Sequence, residues 1–153
     1  SEDQFGGGTT RSQAIANDLK QILQTAATNS GLDVSVYSGG QPSSGSQRTG
    51  TNRHNNGHAA DIRLRDSSGR NLSLDNPADV PKIQNFIREA KRAGATGIGA
   101  GNGYMNNNGF HIDNAAQYGQ APGGSPYWGG RPDGNGRIRS FNAPSWLRQI
   151  MTG

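Results

Sequence analysis

Two segments of the chain repeat apolar residues at helical spacing: Ile15, Leu19, Ile22, Leu23 and Ala26 in the first, and Val80, Ile83, Phe86, Ile87 and Ala90 in the second. A helix with one apolar stripe must bury it against a partner surface. The other patterned segments are short runs that alternate apolar and polar residues, the mark of half-buried strands. Helices laid on a small sheet satisfy both patterns, so the chain reads as α+β with a small antiparallel sheet packed with helices. An apolar fraction of 30% and 24 glycines in 153 residues confine this to one domain, 1–153, with a small core and long irregular excursions. Residues 1–9, which include "FGGG", read as a flexible linker end.

The first helix is expected to begin after Thr10, with Ser12 as its N-cap and a stop at Asn29 to Gly31. "LDVSVYSGG" reads as a strand, and "HAADIRL", "DSSG" and "RNLSL" as a strand, a turn and a returning strand. Asp75 or Asn76 is expected to cap the second helix, with Pro77 in its first turn and Gly94 at its end. Short strands follow at "TGIGA", "GYM" and "GFHID"; after a Gly/Pro-rich excursion a closing helix starts near Pro144. Between the first strand and the second, Gly39 to Gly57 has no periodicity. An ordered loop of that length in a small domain is usually functional.

The chain has no cysteine, which excludes disulfides, thiolate metal sites and a cysteine nucleophile. No apolar run approaches the roughly 20 residues of a membrane helix, so no membrane insertion is expected, and no export signal is visible at the start of the chain. A net charge of +4 and a pI near 9.9 favour an anionic polymer as partner. Nucleic acid is set aside because the arginines are scattered and no basic stripe is interleaved with aromatics.

The histidines carry the chemistry. Strand side chains alternate faces. In "AADIRL", Ile62 and Leu64 share one face and Asp61 and Arg63 the other; in "GFHID", Phe110 and Ile112 oppose His111 and Asp113. With the apolar faces on the core, Asp61, His111 and Asp113 meet on one surface, and the preceding loop can bring His54 over them. Two imidazoles and a carboxylate with an open fourth position form a catalytic zinc set. The rival pairing of His54 with His58 needs a helix through "HNNGHA", where two Asn and a Gly are poor helix formers, and it lacks the glutamate of the helical zinc-protease motif.

"HNNGHAAD" fits the pattern His-x-x-Gly-x-Ala-x-Asp, with His54, Gly57, Ala59 and Asp61 on its fixed positions. Together with "VYSGGQP" before it and "GFHID" after it, the stretch from Val34 to Asp113 resembles the D-alanyl-D-alanine carboxypeptidase-like zinc peptidases, related in fold to lysostaphin-type enzymes and the hedgehog signalling domain. The resemblance implies one Zn2+ held by His54, Asp61 and His111, and hydrolysis of peptide bonds in bacterial peptidoglycan. Two positions depart from it. Asn52 stands where many members have Ser, and Asn108 where many have the Glu or Asp that serves as general base; Asn cannot accept the proton.

Asp113, on the face of His111, is then the residue expected either to replace that base or to fix a ligand's orientation. The resemblance also implies an arginine near the loop that holds a substrate carboxylate or carbonyl, a role that suits a guanidinium fork and is expected of Arg48, with Arg53 as the other loop cation. Tyr104, Tyr127 and Trp128 are read as either groove wall or core and stay outside the catalytic set. The functional expectation is a monomeric zinc metallopeptidase, a carboxypeptidase or endopeptidase, acting on peptide stems at the bacterial cell wall as a secreted, periplasmic, endolysin-like or virion-associated hydrolase. The alternative is a catalytically silent zinc-containing domain that binds wall or protein.

Overall fold

The computed structural model describes residues 11–131 and 133–153; the linker end read over residues 1–9 lies outside them. Its elements are α1 (Asn17–Ser30), β1 (Asp33–Ser38), β2 (Ala59–Arg65), α2 (Val80–Ala93), β3 (Gly97–Gly99), β4 (Phe110–Asp113), β5 (Tyr127–Trp128) and α3 (Ser145–Thr152). The strands lie in the order β1-β2-β4-β3-β5. The first four pair antiparallel, and β5 joins β3 in parallel. The class is α+β, but the sheet is mixed where the sequence suggested an antiparallel one. A two-residue strand inside the Gly/Pro-rich excursion makes the difference: Ile98 N–H donates to Pro126 O at 3.0 Å and Ala100 N–H to Trp128 O at 3.0 Å.

The apolar stripes do what their spacing requires. Leu19, Ile22, Leu23 and Ala26 of α1 and Ile83, Phe86, Ile87 and Ala90 of α2 share one buried cluster with Ile62, Leu64, Ile98, Phe110 and Ile112 of the sheet and Leu147 of α3. Phe86 and Phe110 are its largest members. Burying a side chain of that size stabilises the fold by roughly 1.5–3 kcal/mol. Alternation then forces the polar residues of the same strands onto the opposite face of the sheet.

Four local readings are corrected. α1 starts at Asn17 rather than near Ser12, because the preceding segment is stitched to the long loop: Gln13 bridges Gly40, and Ala16 N–H donates to Gly57 O. α2 starts at Val80, with Pro81 in its first turn; Asn76 instead closes a tight turn by accepting from Ala78 N–H. The expected returning strand at "RNLSL" is reduced to a bridge between Arg65 and Asn71 and a bond from Leu72 N–H to Leu64 O. Buried Leu72 then draws the chain into the core. "GYM" is no strand; Met105–Asn107 form a 3-10 turn in which all three residues have positive φ.

Candidate metal centre

The Cα register lays one row of residues across the sheet: Asp61 opposite His111, and His111 opposite Gly99. Directly paired residues point to the same side. An irregularity between Val36 and Ser38 sets Ser38 opposite Asp61, so the row continues into β1. On its other side Gly99 pairs with Trp128. The sheet thereby presents Ser38, Asp61, His111 and Trp128 together on the face away from the helices.

His54 reaches this face from the long loop, which is ordered around one buried amide. Gln41 Nε2 donates to Thr51 O and Asn55 Oδ1, while Gln41 Oε1 accepts from Thr49 N–H and Arg11 Nε. The Gln41 backbone binds His54 O and Asn56 N–H. A 3-10 turn at Asn52–His54 follows, capped by Thr51, whose hydroxyl accepts from Arg53 N–H. Gly57 permits the close approach to α1: with φ +85 it lies where a Cβ would stand 2.6 Å from Ala16 N.

His54 Nε2 lies 3.6 Å from Asp61 Oδ2, and His111 Nδ1 lies 3.3 Å from Asp61 Oδ1. One ligand atom from each of the three residues falls within 4.8 Å of the others. Tetrahedral ligands at bond lengths of about 2.0–2.1 Å stand about 3.3 Å apart, so side-chain motion of about 1 Å closes the set. The far ring nitrogens are both engaged. His54 Nδ1 is 2.9 Å from Gly39 O, and His111 Nε2 is 2.7 Å from Asp113 Oδ2. With Nδ1–H donated to a carbonyl, His54 presents Nε2 as a lone-pair donor, the arrangement metal-ligating histidines use; His111 has a carboxylate at each ring nitrogen, and against burial these bonds raise its pKa, so a metal at Nδ1 displaces a proton. The three residues could therefore hold one metal ion.

The electrostatics of His54 and Asp61 suit that role. Burial holds the His54 imidazole down to a pKa of about 4, leaving it neutral near pH 7. Burial alone would raise the Asp61 carboxyl, but a hydrogen bond with His111 and the nearby charges of His111 and Arg11 outweigh it and keep Asp61 ionised. Arg11 Nη1 stands 3.4 Å from Asp61 Oδ2, with Arg11 Nη2 donating to Thr49 O at 3.0 Å. Nothing in the sequence reading singled out Arg11. It precedes the first patterned segment, and only the fold brings it to the loop.

Asp113 is fully buried behind His111. It receives Arg53 Nη1 at 3.0 Å, Ala115 N–H at 3.1 Å and Thr96 Oγ1 at 3.4 Å. Burial pushes its carboxyl up, yet the His111 and Arg53 contacts pull it down to about 2. This geometry places it on the side of the imidazole away from Asp61, where it could orient the ring. Arg53 also donates to Ser125 O at 2.6 Å and stacks 4.6 Å from the Trp128 ring centre.

A cavity of about 660 Å³ opens over the three residues. Arg11, Arg53, Tyr104, Trp128 and Ile138 are among its walls. Arg48 is not; its guanidinium binds Asn55 Oδ1 and Asn52 Oδ1 within the loop. Asp61 is the only carboxylate among the described lining residues, and Asn108 is not one of them. His58 turns away from the cavity, stacked on Tyr118 with ring centres 3.6 Å apart and 3.9 Å from Asp18.

Two glycines that the sequence reading passed over make room for these partners. A Cβ on Gly97 would stand 2.6 Å from Asp113 Oδ1 and 2.5 Å from Arg53 Nη1, and one on Gly99 would stand 2.9 Å from Tyr104 Oη. The strand beside His111 is bare so that its supporting groups can lie over it. No family model, curated protein or solved structure matches the chain.

Proposed function

We propose that the protein is a zinc-dependent metallopeptidase that hydrolyses peptide bonds in the stems of bacterial peptidoglycan, with a fold of the D-alanyl-D-alanine carboxypeptidase and hedgehog kind. The observation that carries this reading is the convergence of His54 Nε2, His111 Nδ1 and an ionised Asp61 carboxylate, with both rear ring nitrogens engaged, on the floor of an open cavity. Nitrogen and carboxylate ligands without thiolates suit zinc with a free coordination position. Zinc so held supplies an electrophile for a peptide carbonyl and acidifies water. The chain's own residues hold the His54 imidazole neutral and both imidazoles aimed, brace Asp61 through Arg11, and wall the cavity with aromatic surface. The +4 charge fits an anionic wall as the place of action.

A second reading is favoured by one observation. Asp61 is the only carboxylate among the described residues lining the cavity, and it belongs to the metal set, so no second acid stands ready as general base. A zinc-containing domain that binds wall peptides without cutting them has the same geometry. Mass analysis of muropeptides released from purified wall by the zinc-loaded protein decides between them. New peptide ends that vanish in His54→Ala and His111→Ala support the peptidase. One zinc per chain with no product from any peptidoglycan chemotype leaves the silent domain.

A further inference from the structure

Most cationic and aromatic side chains around the cavity have spent their donors. Arg11 gives its N–H groups to Gln41, Thr49, Ser38 and Asp61. Arg53 serves Asp113 and Ser125 O, and Trp128 Nε1 donates to Tyr104 Oη at 3.1 Å. Tyr104 is different. Its oxygen accepts that bond, but its own proton reaches no acceptor among the described residues.

The phenol also stands in the right place. Tyr104 lines the cavity, and its oxygen lies 2.9 Å from where a Cβ of Gly99 would be. Gly99 is the register partner of His111, whose own Cβ lies about 5 Å across the ladder. The hydroxyl is thus a close neighbour of the metal-binding face. Burial, with the Asp61 charge acting in the same direction, raises its pKa and keeps it protonated through the neutral range. Trp128 pins the oxygen, leaving the O–H to turn toward the cavity.

We infer that Tyr104 is a catalytic hydrogen-bond donor to the ligand's carbonyl oxygen, strengthening as that carbon becomes tetrahedral and the oxygen gains negative charge. The inference rests on the peptidase reading of the same cavity. Tyr104 keeps its proton throughout; the phenol stabilises developing charge and takes no part in activating water. A donor fixed before the charge appears needs no reorganisation when it does, which is why such groups discriminate between planar and tetrahedral states.

The test compares the zinc-loaded wild type with Tyr104→Phe for two probes, D-alanyl-D-alanine and its phosphinate analogue, a tetrahedral anion. Binding is measured by calorimetry and zinc affinity by chelator competition. The expected result is a loss of about 10- to 100-fold for the phosphinate, a change within about threefold for the dipeptide, and unaltered zinc affinity. Equal loss for both probes, loss for neither, a drop in zinc affinity, or a wild type that holds zinc but ignores the phosphinate overturns the inference. If Tyr104→Phe does not fold, 3-fluorotyrosine at position 104, a more acidic phenol, carries the test. It tightens the phosphinate if the hydroxyl donates and leaves it unchanged if it does not. Wall peptides left uncut by a wild type whose phosphinate binding depends on Tyr104 defeat the peptidase reading while the donor assignment stands.

Discussion

Replacing Gly97 with alanine adds one methyl group to the strand beside the metal face, and the structure says what it meets. Gly97 pairs with Asp113 in the ladder, so the new Cβ points at the Asp113–Arg53 ion pair, 2.6 Å from Oδ1 and 2.5 Å from Nη1. Ordinary contact begins near 3.4 Å, so the pair must withdraw by about 1 Å. The bond from His111 Nε2 to Asp113 is 2.7 Å long, and lengthened by that amount it ceases to be a hydrogen bond. Loss of the group that orients a ligating imidazole costs about 10- to 100-fold in metal affinity, or about 1.4–2.7 kcal/mol. Because Gly97 does not use a left-handed φ, the backbone itself raises no objection to alanine. Gly134→Ala, whose Cβ meets nothing within 4 Å, is the matched control. Chelator competition for zinc is the assay. A Gly97→Ala protein that is folded and holds zinc within about twofold of wild type refutes the claim that Asp113 orients His111.

Asp113→Asn is expected to weaken zinc binding by about 10- to 100-fold, since it removes the charge that fixes the imidazole and takes from Arg53 its carboxylate partner; unchanged zinc affinity with peptide cleavage abolished points instead to a general base. His54→Asn tests a pH dependence. The unfolded chain takes up a proton on His54 near pH 6.5, but the folded chain refuses it until about pH 4. Metal-free protein therefore has the full contribution above 6.5 and loses roughly 3 kcal/mol as pH falls toward 4. Denaturant titrations across that range should show a flatter slope in the variant, and parallel slopes disprove the assignment. His58→Ala is expected to keep one zinc per chain at wild-type affinity while losing its contact with Tyr118, measurable as a stability change; a halved zinc content counts against its exclusion from the site. Arg11→Met should speed amide exchange at Thr49, whose carbonyl Arg11 holds and whose N–H shares Gln41 with it, whereas Arg48→Met should not. Equal effects would show that Arg11 is no special brace.

Alternation and apolar spacing made half of this site legible. Asp61 and His111 share a face because Ile62, Phe110 and Ile112 must take the other, and no tertiary knowledge is needed to see it. The helix stripes are as plain, since a stripe advertises its own burial. The starts of those helices were not legible: Ser12 has the chemistry of a cap, but Gln13 is already bound to Gly40. Arg11, Gln41 and the pair Tyr127–Trp128 lie in segments without period, where a residue's role depends on which distant backbone it meets. Gly97 and Gly99 are harder still, because their contribution is empty space, and its value lies in side chains from other parts of the chain.

The row from Ser38 through Asp61, His111 and Gly99 to Trp128 has a bearing on how the chain finds its register. A slip of two residues between β2 and β4 would preserve the alternation of apolar and polar faces, and hydrophobic burial would tolerate it better than a slip of one. It would also set His111 opposite Ala59 or Arg63 in place of Asp61. The strands are only seven and four residues long, so few other contacts penalise the error. If His54, Asp61 and His111 hold a metal, the three would act as a proofreading mark for strand pairing, and a metal present during folding would select the one alignment that completes the set.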